Sequence, residues 1–227
     1  RAFIELAREI TGEMEKPKPI LAIKSGRTSQ GAAAARSHTG SLAGSDEIFD
    51  AIMRQCGVLR AESVAEAFNW CKFLAHTPRP SGENTVIITN GGGIGVMATD
   101  ACEKFGVKLY DDAVALKEVF SPVTPEFGST KNPVDLTGGA TSAHYHSALE
   151  EASKNERIDS VIALYGETAV FDAENLSSMI GENSRKYQEQ KKPLVFSIFG
   201  GEKIEECLRA MKKTTAAVYG DVYEAVS

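Results

Sequence analysis

The stretch "TVIITNGGGIGVMATDACEKFG", residues 85–106, decides the fold. Residues 85–90 form a short apolar run rich in β-branched side chains and bounded by glycines, which predicts a buried strand. "GGGIG" at 91–95 reads as a tight turn, and "VMATDACEKF" as a helix closed by Gly106. A strand feeding directly into a helix is the first half of a βαβ unit. The same alternation continues downstream, with strands predicted at "VKLY" (107–110), "SVIALYG" (160–166) and "PLVFSIF" (193–199). Helices are predicted over 143–154, 174–190 and 202–212. Strands alternating with helices give a parallel sheet covered on both faces, and its carboxyl edge gathers the loops that bind ligands.

Upstream, "PRPSGEN" (78–84) reads as a linker, so two α/β layers are expected, roughly 1–80 and 81–227. In the first, Phe3, Ile4, Leu6, Ala7 and Ile10 recur at helical spacing. "ILAIK" (20–24) reads as a buried parallel strand. "SGRTSQGAAAARSHTGSLAG" (25–44) holds too many Gly, Ser and Thr for one continuous helix, although the alanines can add a turn or two. Ser45 is placed to cap a helix whose first turn holds Asp46 and Glu47, whose inward residues are Ile48, Phe49, Ile52 and Met53, and which stops at Gly57. A short strand "VLRA" (58–61) and a helix through 63–77 complete this layer. It looks incomplete, as if its opening strands were cut away.

The chain carries 31 acidic against 25 basic residues, a net charge of −6, and its cations are scattered. That argues against a nucleic-acid partner. No apolar run approaches the roughly 20 residues of a membrane span. No cleavable signal opens the chain, so a cytoplasmic protein without a membrane partner is expected. Cys56, Cys71, Cys102 and Cys207 show no CxxC spacing and are expected to be reduced, buried thiols.

Few residues can carry chemistry. His38 has an imidazole able to act as acid, base or nucleophile, with hydroxyls of Ser37, Thr39 and Ser41 around it and Gly40 and Gly44 permitting close approach. His76, His144 and His146 offer no ligand spacing with it, so no metal site is expected. Gly91, Gly92, Gly93, Ile94 and Gly95 follow a strand and open a helix, where free backbone N–H groups can surround an anion. A side chain there would block that approach and meet a disfavoured positive φ. As a dinucleotide motif the glycines fail, because position 96 is Val and no acidic residue ends a following strand at the usual place. "KNPVDLTGGAT" (131–141) reads as a structural turn in which Asn132 and Asp135 can hydrogen-bond local backbone, and "FGGEK" (199–203) as a weaker second loop at a helix start.

Taken together, "KSGRTSQGAAAARSHTGSLAGSDEIFDA" (24–51), "TNGGGIGVMATDACEKFG" (89–106) and "NPVDLTGGA" (132–140) resemble the α region of the ADP-forming acyl-CoA synthetases, relatives of succinyl-CoA synthetase. The resemblance runs over nearly the whole chain in the same order, and "SHTGSLAGSDE" is its specific part. It implies an α/β fold of two flavodoxin-like, succinyl-CoA-synthetase-like domains, the first incomplete. It also implies interconversion of acyl-CoA, ADP and phosphate with acid, CoA and ATP, through an acyl phosphate and a transiently phosphorylated His38. Gly91–Gly95 would then be one of two helix starts that hold the phosphoryl group, with Ser37, Thr39 and Gly40 supporting the histidine. No cofactor is implied as tightly bound: CoA, ADP or ATP and Mg act as substrates or activator at sites largely outside this chain. Small acids, CoA, phosphate and an ATP-grasp subunit or domain are the implied partners, in an oligomer. On this reading the chain is a piece of the ligase, inactive alone. The competing readings are a non-catalytic ligand-sensing module of a protein acetyltransferase, and a generic nucleotide-binding flavodoxin-like protein.

Overall fold

The structure, a computed structural model, describes residues 2–39, 44–170 and 173–227. It divides into two compact units, Arg1–Leu74 and Ala75–Ser227. The first opens with α1 (Ala2–Arg8), continued by a π-helical turn over Glu9–Glu13. Then come β1 (Leu21–Ile23), α2 (Ser29–Thr39), α3 (Asp46–Gln55), β2 (Leu59–Ala61) and α4 (Val64–His76), which runs across the division. β1 and β2 pair in parallel, Leu21 opposite Leu59 and Ile23 opposite Ala61. Ala7, Met53, Cys56 and Val58 form the small core, with Ile4, Ile20, Ala22, Phe49 and Ile52 packed against it.

Three expectations for this unit need correction. β1 is not a buried strand: Leu21 and Ala22 are half-buried and Ile23 is exposed, because a two-stranded sheet leaves each strand an unpaired edge. Ile48 is 63% exposed. Phe49, Ile52, Met53 and Cys56 define the inward stripe of α3, and Ile48 falls at its margin. Residues 29–39 form one helix of 11 residues rather than a turn or two. The alanines supply the propensity, and Gly31 sits in the first turn, where the Thr28 hydroxyl accepts its N–H at 3.1 Å. The α3 boundaries are as expected: the Ser45 hydroxyl accepts from Ile48 N–H, and Gly57 adopts φ +65° just past the end.

The second unit is a five-stranded parallel sheet. Its elements in chain order are β3 (Thr85–Thr89), α5 (Gly92–Phe105), α6 (Ala113–Phe120), β4 (Val134–Asp135), α7 (Ser142–Lys154), β5 (Ser160–Gly166), α8 (Ala173–Glu189), β6 (Leu194–Phe199), α9 (Glu202–Met211), β7 (Ala217–Tyr219) and α10 (Val222–Val226). The strand order is β4-β3-β5-β6-β7. That is the flavodoxin-like order, in which the chain reverses direction across the sheet between its first and third strands, here β3 and β5. Helices α5 and α10 cover one face, burying Ala98, Ala101, Cys102, Val222 and Val226 against Ile87, Ile162 and Leu164. Helices α6 to α9 cover the other, over Val86, Ile88, Val161, Ala163 and Phe196.

"VKLY" is not a strand. Leu109 makes a single bridge to Thr85, and the lane beside β3 passes to β4 farther along. Asn132 makes the exchange. Its Nδ2 donates to Thr85 O (2.8 Å) and Tyr110 O (3.1 Å), and its Oδ1 accepts from Ile87 N–H (2.9 Å). The amide thus occupies the place of a missing strand residue. Asn132→Ala is expected to destabilise this unit by about 2–4 kcal/mol, because three backbone groups lose a partner. Asn132→Asp should do no better, since a second oxygen would face two carbonyls. Equilibrium denaturation checks both; a loss of less than about 1 kcal/mol in both would remove Asn132 from this role.

The linker is also less free than its composition suggests. Ser81 Oγ donates to Asp159 Oδ1 and Asn84 N–H to Asp159 Oδ2, both at 2.9 Å, so its second half is fastened to the sheet's amino edge. Of the cysteines, Cys56, Cys102 and Cys207 are buried and Cys71, on α4, is exposed. Burial pushes the Cys102 thiol up to about 11. Among the described residues no helix is long and apolar enough to cross a membrane.

Candidate phosphoryl-transfer site

The glycine stretch lies at the carboxyl end of β3, beside the switch point between β3 and β5. It is less of a turn than the sequence suggests. Gly91 alone is the N-cap, in an extended conformation (φ −149°, ψ 116°), and Gly92, Gly93, Ile94 and Gly95 are already helical. None of the five has a positive φ; among the described residues the glycines that do are Gly26, Gly57 and Gly106. The amides are not all free either. Gly91 N–H donates to Thr89 Oγ1 (3.1 Å), and Ile94 and Gly95 N–H both donate to Gly91 O (3.1 and 3.0 Å). The N–H groups of Gly92 and Gly93 have no partner among the described residues, and both glycines are exposed.

The glycines also differ in what surrounds them. A Cβ on Gly95 would stand 3.1–3.2 Å from Pro133 and Thr89, so its absence serves packing. A Cβ on Gly93 would meet nothing within 4 Å. Glycine is a poorer helix former than alanine by up to about 1 kcal/mol, and no close packing requires it at this position. Open backbone at a helix start, with two unpartnered donors, can hold an anion.

Three residues shape this edge, and of these only Asp135 was singled out in the sequence, as able to hydrogen-bond local backbone. Asn90, 4% exposed, exchanges two hydrogen bonds with Gly166 across the switch point, donating to its O (2.8 Å) and accepting its N–H (2.9 Å). It ties the loop after β3 to the loop after β5. Asp135 ends β4; its Oδ1 accepts Thr137 N–H (2.8 Å), and its Oδ2 lies 3.5 Å from where a Gly92 Cβ would be. Glu167 follows β5, and its carboxylate accepts Gly201 N–H at the start of α9. The "FGGEK" helix start is therefore already filled by the chain's own anion, and a Cβ on Gly200 would collide with Glu167. Of two glycine-marked helix starts on this edge, α5 is the open one. An asparagine immediately before a glycine run is the one available hint of the first tie; Glu167 carries none.

His38 belongs to the other unit. It lies in the last turn of α2 and is exposed. Ser37 is exposed beside it, but its hydroxyl donates to Ala34 O at 2.7 Å and is spent on its own helix. Thr39 ends α2, while Gly40 and Ser41 lie outside the described residues. Two of the remaining histidines make structural contacts. His144 Nδ1 accepts from Thr141 N–H at the start of α7, and His146 Nδ1 lies 3.1 Å from Asn183 Nδ2. Among the described residues no group of three or more His, Cys, Asp or Glu could hold a metal ion.

An ion cluster flanks the histidine segment. Asp46, in the first turn of α3, takes Arg60 Nη2 (2.5 Å) and Lys24 Nζ (3.3 Å) on Oδ1 and Arg27 Nε (3.5 Å) on Oδ2. The Arg60 hydrogen bond holds the Asp46 carboxyl below its usual range; partial burial opposes this and Lys24 adds to it. The same pairing raises Arg60.

Comparison with known proteins agrees with this division. A succinyl-CoA-ligase-like flavodoxin domain matches residues 1–74, and a Ligase-CoA domain matches residues 85–225. The acetate–CoA ligase (ADP-forming) I subunit alpha of Pyrococcus furiosus is 46% identical over 228 residues, covering 100% of this chain and 48% of that protein. The 4-hydroxybutyrate–CoA ligase (ADP-forming) of Nitrosopumilus maritimus is 36% identical over 87% of this chain and 28% of its own length. A solved structure of the dinucleotide-forming acetyl-coenzyme A synthetase 1 of Ca. Korarchaeum cryptofilum, in complex with phosphate and ADP, superposes with a TM-score of 0.89. Its identity is 36%, over 99% of this chain and 47% of that one. The chain thus spans about half the length, or less, of these relatives. The Ligase-CoA match alone covers more than half of the sequence, and the chain belongs to the family of succinyl-CoA-ligase-like CoA ligases that these two domains define.

Proposed function

We propose that the chain is the phosphoryl-carrying part of an ADP-forming acyl-CoA synthetase, with His38 as the carrier. The observation that supports this best is the exposure of the His38 imidazole at the end of α2, within a sequence whose whole length aligns with about half of an ADP-forming ligase subunit. The reaction balances in three displacements. A phosphate oxygen attacks the acyl-CoA carbonyl carbon, and the CoA thiolate leaves, giving an acyl phosphate. A neutral imidazole nitrogen of His38 attacks phosphorus, and the carboxylate leaves as free acid. The terminal oxygen of ADP then attacks the phosphohistidine, and the imidazole leaves as ATP forms.

Each displacement on phosphorus asks for positioning and charge stabilisation rather than a protein acid of unusual strength. The Gly92 and Gly93 amides at the start of α5 would supply donors to the phosphoryl oxygens without a side-chain cation. Magnesium would neutralise phosphate charge at the nucleotide, and we assign both to an ATP-grasp partner. CoA and the acid are the other substrates. The ligand-sensing reading gains nothing, since the relatives described above are ligases and synthetases by name.

The test is an assay of CoA- and acid-dependent ATP consumption. The 227-residue chain alone is expected to show no turnover, and addition of the ATP-grasp component should establish it. Turnover by the chain alone would mean that it holds a nucleotide site of its own.

A further inference from the structure

We infer that Asp46 is a positioning residue that clasps together the two ends of the segment bearing His38, and so fixes the base from which α2 presents the phosphoryl carrier. This rests on the carrier reading above.

In sequence, Lys24 and Arg27 stand just before α2, Asp46 opens α3, and His38 lies between them. In space the flanks meet, with Lys24 Nζ at 3.3 Å and Arg27 Nε at 3.5 Å from the Asp46 carboxylate. Arg60 binds the same carboxylate from β2 and also Asp50 at 3.2 Å, tying the clasp to the sheet. Phe49 lies between the cations, its ring centroid 5.7 Å from Lys24 Nζ and 5.4 Å from the Arg60 guanidinium carbon.

None of residues 29–38 is fully buried. A helix of 11 residues is about 16 Å long and carries His38 at its far end. On a lever of that length a small tilt at the root displaces the far end by ångströms. Asp46 is the shared node of that root. Without it Arg27 keeps only the exposed Glu62 (3.2 Å), Arg60 keeps Asp50, and Lys24 keeps the Gly26 carbonyl (3.3 Å). The three cations would then repel one another across the gap.

The experiment uses the complete enzyme with its ATP-grasp component. Asp46→Asn keeps the shape and removes the charge, and Arg27→Gln loosens one half-exposed contact. Misplacing a carrier by about an ångström can cost on the order of 100-fold in rate. We expect kcat to fall at least about tenfold in Asp46→Asn and by a smaller factor in Arg27→Gln, with KM for acid, CoA and ADP within about twofold. The extent of His38 phosphorylation at equilibrium should be unchanged while its rate drops, and Asp46→Glu should recover part of the rate. Wild-type kcat in both variants would overturn the clasp. So would kcat and KM changes that merely follow a lowered melting temperature. If wild-type enzyme shows no phosphate on His38, the carrier reading itself fails, which is a different result from equal labelling in wild type and variants.

Discussion

Incubated with ATP and magnesium, the complete enzyme carrying His38→Asn is expected to hold no acid-labile, base-stable phosphate, whereas wild type should label stoichiometrically. Asparagine keeps the polarity and approximate size of the side chain but offers no nucleophilic nitrogen. Loss of the carrier should lower turnover by at least about a thousandfold, as removal of a covalent nucleophile does. The position of His38 adds a second readout. It sits in the last turn of α2, where the helix macrodipole is negative. A phosphoryl group there meets like charge, so phosphorylation should loosen that turn and speed amide exchange over residues 36–39. Undiminished labelling of the variant would remove His38 from the mechanism. A label that persists on a hydroxyl would move the role to Ser37, Thr39 or Ser41.

The second large effect separates activity from stability within a single turn of helix. Gly93→Ala should leave the second unit as stable as before, or more stable by up to about 1 kcal/mol, because alanine is the better helix former and its methyl meets nothing within 4 Å. On the cradle reading the same methyl would crowd an anion held by the Gly92 and Gly93 amides, so phosphoryl transfer should slow by about 10- to 100-fold. Gly95→Ala should behave in the opposite sense. Its methyl would press on Pro133 and Thr89 at 3.1–3.2 Å, costing about 1–3 kcal/mol, while the free amides stay open. Melting temperatures and single-turnover labelling of His38 give both axes. A Gly93→Ala enzyme with full transfer rate would rule out the helix-start cradle.

The strand–helix alternation of residues 85–106 was legible because strand and helix write different periods into the chain, and Gly106 marks the end with a conformation only glycine adopts easily. The same holds for α3, where Ser45, the acidic first turn and Gly57 are all local signals. His38 was legible through its motif, but its place inside a helix was not. The residues that argued for a loop are absorbed one by one: Gly31 in a capped first turn, Ser37 on its own backbone.

Other features had no local signal to read. β4 is two residues long and exists because Ile88 and Thr89 of β3 offer it an edge. The end of the "VKLY" pairing depends on Asn132, 47 residues from Thr85. The tie at the switch point joins Asn90 to Gly166, 76 residues on. Asp46 looked like an ordinary acidic residue at a helix start until the fold brought Lys24, Arg27 and Arg60 to it. Glu167 closes one helix start and leaves the other open, a choice invisible in two similar glycine runs. The sequence by itself determined the longer elements, their parallel arrangement and the residue type able to carry a phosphoryl group, because those follow from local propensity, periodicity and side-chain chemistry. Which amides stay free and which charges meet was decided only by tertiary structure, because a hydrogen bond or ion pair is fixed by distance in space and not by distance along the chain.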